Sequence, residues 1–159
     1  MSAPKPITAT PASLWLRLLA AVYDVLPLLG LWFLVAVVAL AATGGALDVH
    51  RLADKILVQA LAFGITAAYF VASWTRGGQT IGMKPWRLRV VRIDGAPLRS
   101  GQAALRFVAA LISLAPAGLG FWWALFDAHG RTWHDIVAGT QFVRLQKIAD
   151  RGSQIRDRG

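Results

Sequence analysis

The chain has 159 residues, the length of one domain. Hydrophobic residues make up 56% of it and charged residues only 16%, which is too apolar for an ordinary water-soluble domain. The net charge of +9 would suggest nucleic acid in a soluble protein. Here the cations flank the apolar runs, where they suit anionic lipid headgroups and argue against nucleic acid.

Cysteine is absent, which excludes a disulfide framework, a thiolate metal site and lipid attachment through cysteine. Residues 1–13, MSAPKPITATPAS, are rich in Pro, Ala and Thr with nothing to bury, and read as a flexible tail ending at an N-cap, Ser13.

From Leu14 to Ala42 the chain is helix-compatible for roughly 43 Å, longer than the ~30 Å hydrocarbon core of a bilayer. Pro27 removes the helical bond to Tyr23 and offers a kink. That predicts an interfacial part from Leu14 to Asp24 and a spanning part from about Val25. The charge-free run from Val25 is too long and too far along for a cleaved signal sequence, so a retained anchor is expected. Arg17 and Asp24 project from one helix face about 10 Å apart, too far for a direct ion pair, so each needs another partner, with Asp135 and Arg106 the candidates on the cytoplasmic side. Ionisable groups in such a segment mark a polar site or an anchor.

Residues 43–55 form a short polar connection, and Ile56 to Trp74 is a second span. Within it Ala60, Gly64 and Ala68 make a small-residue stripe suited to packing against the first helix, with a dimer face as the alternative. Residues 75–104 are the most basic part. Arg76, Lys84, Arg87, Arg89 and Arg92 are the expected lipid-headgroup contacts. Gly77 to Gly82 followed by Lys84 fails as a phosphate loop, because Met83 intervenes and Pro85 stands where a hydroxyl is needed. Leu88 to Ile93 is β-prone and closes on an Asp94-Gly95 turn. Ser100 is placed to cap a helix.

The third apolar segment, Leu105 to Phe126, carries Arg106, Pro116, Gly118 and Gly120. By the positive-inside rule the basic 75–104 loop and the N-terminus are cytoplasmic. A straight third span would then put the basic tail outside. A break at Pro116-Ala117-Gly118 lets two half-length helices enter and return. The straight span is the alternative. The β-prone pieces Arg89–Ile93 and Thr140–Leu145 would then pair beside the membrane. Asp127, His129, His134 and Asp135 lie close in sequence, but their spacing matches no metal-site pattern, and no metal is expected. No nucleophile elbow or acid–base pair is recognisable, so no enzyme and no cofactor are expected.

LRLLAAVYD with Arg17 and Asp24, GGQTIGMKPWRLRVVRIDGAPL, and LFDAHGRTWHDIVAGTQFV with Asp135 together resemble the RDD family of membrane proteins over roughly residues 12–145. Arg17 and Asp24 match the family's arginine and first aspartate. The second aspartate is placed at Asp135, with Asp127 the alternative. The resemblance implies one polar cluster of Arg17, Asp24 and Asp135, with Arg106, Asp127 and His134 as second-rank candidates. It also implies transport of an unidentified ligand, with cation/proton exchange proposed for some members. One departure is Met83-Lys84-Pro85, which stands where many relatives have a Gly-Lys run.

The expected fold is an all-α integral membrane protein with two full transmembrane helices, a broken or re-entrant third apolar segment and a small interfacial β-prone element. The divisions are a tail (1–13), a membrane domain (14–145) and a basic C-terminal tail (146–159). The expected setting is a bacterial inner membrane, multi-pass, as a homo-oligomer or with a membrane-protein partner. Two functions are open. One is transport of a cation, proton or other small ligand. The other is a non-transporting scaffold whose basic face binds lipid or a partner protein.

Overall fold

A computed structural model describes residues 9–48, 50–114, 119–125, 127 and 131–145. In chain order these form β1 (Ala9–Pro11), α1 (Leu14–Ala42), α2 (Leu52–Arg76), β2 (Leu88–Arg92), α3 (Ser100–Leu114), α4 (Leu119–Trp122), a 3-10 turn at Trp123–Leu125, α5 (Trp133–Ala138) and β3 (Thr140–Leu145). The α1 helix has the bounds read from its composition, and it runs through Pro27 without a break. Ser13 occupies the N-cap position but its side chain makes no cap bond. At the other end, Gly44 and Gly45 take the positive φ that follows a helix, and the Gly45 N–H returns to the Leu40 carbonyl.

The helical reading holds, with two helices long and apolar enough to cross a membrane, α1 and α2. Both leave large apolar side chains uncovered, among them Leu26 and Phe33 on α1 and Ile56 and Phe63 on α2. The small-residue stripe does not pack on α1. Ala60, Gly64 and Ala68 are all exposed, and a Cβ on Gly64 would meet nothing within 4 Å. The two helices touch on another face, where Trp32 Nε1 donates to Thr66 Oγ1 at 2.8 Å.

The sheet is antiparallel in the order β1-β3-β2, with Val90 opposite Phe142 and Thr10 opposite Arg144. The pairing of the two β-prone pieces is as expected, but the third strand is new. Residues 9–11 are therefore not tail. They edge the sheet, and Ala12 is buried behind them. Backbone bonds to β3 order this short segment where its side chains alone would not.

The sheet constrains the topology. The third apolar segment lies between β2 and β3, and because these strands pair, it must return to the side it left. Ser113 and Gly120 show the reversal directly. Seven residues apart on one helix they would be about 10 Å apart. Instead, a Cβ on Gly120 would lie 2.5 Å from the Ser113 Cβ. A straight third helix is thereby excluded. Pro116-Ala117-Gly118, the expected break, lies outside the described residues, as does the 146–159 tail.

The apolar core sits where the sheet meets the ends of α1, α2 and α3. Ala20, Trp74, Met83, Leu88, Val90, Leu98, Ala103 and Phe107 form it. The polar residues of interest lie at this same end.

Candidate functional site

Two buried polar clusters occupy the sheet end. The first is built on α5. Its sequence Thr132-Trp-His-Asp135 is a capping box: the Asp135 carboxylate accepts from the Thr132 N–H at 3.0 Å and from its hydroxyl at 2.7 Å. Gly139 then ends the helix in the left-handed region, at φ 62°, and turns the chain into β3. The cap holds the carboxylate facing two arginines. Arg17 Nη1 donates to Oδ2 at 3.2 Å, and Arg106 Nη1 donates to Oδ1 at 2.5 Å.

Two guanidiniums share one carboxylate, so the remaining positive charge needs other company. Arg17 donates twice to the Ala12 carbonyl, at 2.9 and 3.1 Å, and Arg106 donates to the Thr140 hydroxyl. Both guanidiniums also lie over the Phe142 ring, at 5.0 and 4.9 Å from its centroid, and Arg106 lies 5.2 Å from that of Trp74. Asp135 is fully buried, and burial alone would raise its pKa. Burial is the largest single influence, but the Arg106 guanidinium, His134, the Thr132 N–H and Arg17 together outweigh it and hold the carboxyl below its ordinary value.

His134 completes this cluster. Its Nε2 stands 2.9 Å from Thr132 Oγ1. That hydroxyl gives its proton to Asp135, so it accepts from the histidine, which assigns the Nε2–H tautomer. Burial, aided by the positive charge of Arg106, lowers the His134 pKa to about 3, and the ring is neutral near pH 7.

The second cluster closes around Asp24, three residues before Pro27 on α1. Asp24 is buried, and three neutral donors serve it: Tyr69 Oη at 2.6 Å, Thr80 Oγ1 at 2.5 Å and the Gly82 N–H at 2.8 Å. Thr80 and Gly82 belong to the glycine-rich loop after α2. That loop is a clasp and not merely a turn. Gly78 (φ 69°) pairs through its carbonyl with the Val90 N–H, and Gln79 donates to the Leu88 carbonyl. Gly82 lies so close to α1 that a Cβ there would be 2.2 Å from the Ala20 carbonyl oxygen. Asp24 has no cationic partner among the described residues.

The expected single cluster of Arg17, Asp24 and Asp135 is thus two. Arg17, Asp135, Arg106 and His134 come together, while Asp24 stands apart with its own donors. Asp135 receives Arg17, whereas Asp127 binds Arg131 through both backbone and side chain. Among the described residues no three His, Cys, Asp or Glu side chains gather to hold a metal, and His129 lies outside those residues.

Of the basic set, Arg76, Lys84 and Arg87 are exposed. Arg89 is committed to the Gly77 carbonyl and Arg92 to Asp94. Sequence reasoning missed Tyr69, Thr80, Gly82, Thr132 and Thr140. Thr132 alone had a local signal, the Thr-x-x-Asp spacing of a capping box.

No curated protein and no solved structure matches the chain. The family model described as RDD family matches residues 11–139, from β1 through α5, and the chain belongs to that family.

Proposed function

We propose that the chain is a multi-pass protein of a bacterial inner membrane, crossed by α1 and α2, with the sheet end and N-terminus on the cytoplasmic side. The charge distribution supports this reading. Arg76, Lys84, Arg87, Arg99 and Arg144 lie at the sheet end, while the opposite connection balances Arg51 and Lys55 with Asp48 and Asp54. The uncovered apolar faces of α1 and α2 suit lipid and further copies or membrane partners.

Its function is transport-related and not enzymatic, with Asp24 as the proton or cation acceptor. The observation carrying this is the difference between the two aspartates. Asp135 would have to leave two guanidiniums to exchange a charge, which is costly for a buried pair. Asp24 is held only by neutral donors, and can gain a proton or cation without breaking an ion pair. Arg17, which does not touch Asp24, holds the fold and not the charge. Two crossing helices make a poor pathway alone, so the working form is an oligomer.

The second reading is a non-transporting scaffold. It draws on the fact that every Asp24 bond ties α2 or the glycine-rich loop to α1. Proton and cation flux in proteoliposomes separates the two. Asp24→Asn that folds with wild-type stability and abolishes flux supports transport. If the wild type moves neither ion, and Asp24→Asn only lowers stability, transport is refuted.

A further inference from the structure

A groove of about 440 Å³ runs beside the Asp24 clasp, lined by Tyr69, Ala72, Ser73, Arg76, Gln79, Ile81 and Lys84 among others. Tyr69, Ala72, Ser73 and Arg76 follow the i, i+3, i+4, i+7 spacing of one helix face, so the α2 wall is about 10 Å long. The glycine-rich loop and Lys84 form the facing wall. Polarity changes along its length. The Tyr69 ring, Ala72 and the exposed Ile81 are apolar, while Arg76 and Lys84 place two cations at the end of α2. Neither cation has an acidic partner among the described residues, in contrast to Arg92 and Arg131.

We propose that this groove is a specific site for one anionic phospholipid. Its phosphate sits between Arg76 and Lys84, and its acyl chain lies along Ile81, Ala72 and the Tyr69 ring. Two uncommitted cations match a phosphate. The apolar stretch leading away from them matches an acyl chain and has no use for a free phosphate. A headgroup carrying its own cation would set a third positive charge beside the two, so an anionic headgroup is favoured over a zwitterionic one. The site also touches the functional cluster, because the Tyr69 whose ring forms the wall donates its hydroxyl to Asp24.

The proposal rests on the reading of α1 and α2 as membrane spans, and the two are tested separately. Carbonate extraction of membranes tests the spans: release of the protein would refute that reading alone. The groove is tested by native mass spectrometry of the detergent-purified protein titrated with phosphatidylglycerol, phosphatidylcholine or inorganic phosphate. For a protein that carbonate releases, the same titration in buffer uses short-chain phosphatidylglycerol.

The expected result is retention of phosphatidylglycerol over phosphatidylcholine, weakened about tenfold or more in Arg76→Gln/Lys84→Gln. Arg99→Gln/Arg144→Gln removes the same charge from exposed positions outside the groove and should stay within about twofold of wild type. Equal weakening by both pairs would reduce the effect to diffuse surface attraction and overturn the site. Displacement of the lipid by millimolar inorganic phosphate would overturn it in favour of a free anion. Unchanged far-ultraviolet dichroism confirms that the variants fold.

Discussion

Gly82→Ala tests the clasp around Asp24 most sharply, because the perturbation is one methyl group and its neighbours cannot yield. The new Cβ would stand 2.2 Å from the Ala20 carbonyl oxygen and 2.8 Å from both Asp24 Cγ and the Asp24 backbone nitrogen. Two of these are backbone atoms of α1. Ordinary contact begins at 3.4 Å, so the loop must withdraw by roughly 1 Å. The Gly82 N–H now lies 2.8 Å from Asp24 Oδ1, and a 1 Å withdrawal takes it out of hydrogen-bonding range. Losing a hydrogen bond to a charged group costs about 1.5–3 kcal/mol, and Thr80, two residues away on the same loop, is drawn off its own bond with it. The expected destabilisation is therefore about 3–5 kcal/mol. The assay is denaturant unfolding in mixed micelles followed by tryptophan fluorescence. Gly64→Ala is the control, since its Cβ meets nothing within 4 Å and a helical alanine is favoured by about 0.5–1 kcal/mol. Thr80→Val removes one donor and leaves the backbone in place, at about 1.5–3 kcal/mol. Should Gly82→Ala cost no more than Thr80→Val, the close approach of loop and helix is refuted.

Asp135→Asn leaves Arg17 and Arg106 buried without their carboxylate and should cost about 3–5 kcal/mol in the same unfolding assay. Asp94→Asn, at a partly exposed pair, should cost less than about 1 kcal/mol, so similar losses would deny the buried cluster its special weight. His134 has a folded pKa of about 3 against an ordinary 6.5, so between these values the unfolded chain binds more protons. Stability is then full above pH 6.5 and falls as the pH drops toward 3, with Asp135 adding a loss of the same sign below 3.8. His134→Gln keeps an N–H donor and does not titrate, and should flatten the difference in unfolding midpoint between pH 7 and 4.5. Because the chain has no cysteine, single-cysteine variants report topology cleanly. Arg99→Cys and Arg144→Cys should react with an impermeant maleimide from the same side of the membrane, and Asp48→Cys from the other. Labelling of Arg99→Cys and Arg144→Cys from opposite sides would refute the returning third segment.

The elements legible in the sequence are those whose signal is local. Leu14–Ala42 and Thr140–Leu145 take the bounds that composition and β-propensity indicate, because long apolar helices and β-branched runs declare themselves within a few residues. The third strand was not legible. Ala9–Pro11 has little strand propensity, and its partner is Val143–Leu145 at the far end of the domain. The two polar clusters failed in a similar way. Asp135 and Arg106 could be named as candidate partners for Arg17 and Asp24, but nothing local showed that both arginines would converge on Asp135, 118 residues from Arg17, and leave Asp24 to other donors. The donors of Asp24 lie 45 to 58 residues away and are a tyrosine, a threonine and a glycine N–H, none of which stands out in a sequence. The small-residue stripe misled because four-residue spacing marks a face capable of close packing without naming what covers it.

The separation into two clusters follows from what an apolar bundle lacks. Where helices expose apolar side chains to apolar surroundings, the hydrophobic effect does little to select their rotation, and polar contacts must do so. Each cluster supplies one such selection. Arg17 lies in the first turn or so of α1 and faces Asp135, and Arg106 on α3 faces the same carboxylate, so α1 and α3 are oriented about α5 and the sheet. Asp24, further along α1, accepts from Tyr69 of α2 and from the loop that follows it, so α2 is oriented about α1. A buried ion pair gives little net stability compared with well-packed apolar residues, but it penalises every arrangement that leaves a charge unpaired. The arginine cluster fits that role, since its charges are all committed to the fold. The Asp24 cluster serves the same purpose through neutral donors, with no ion pair among the described residues.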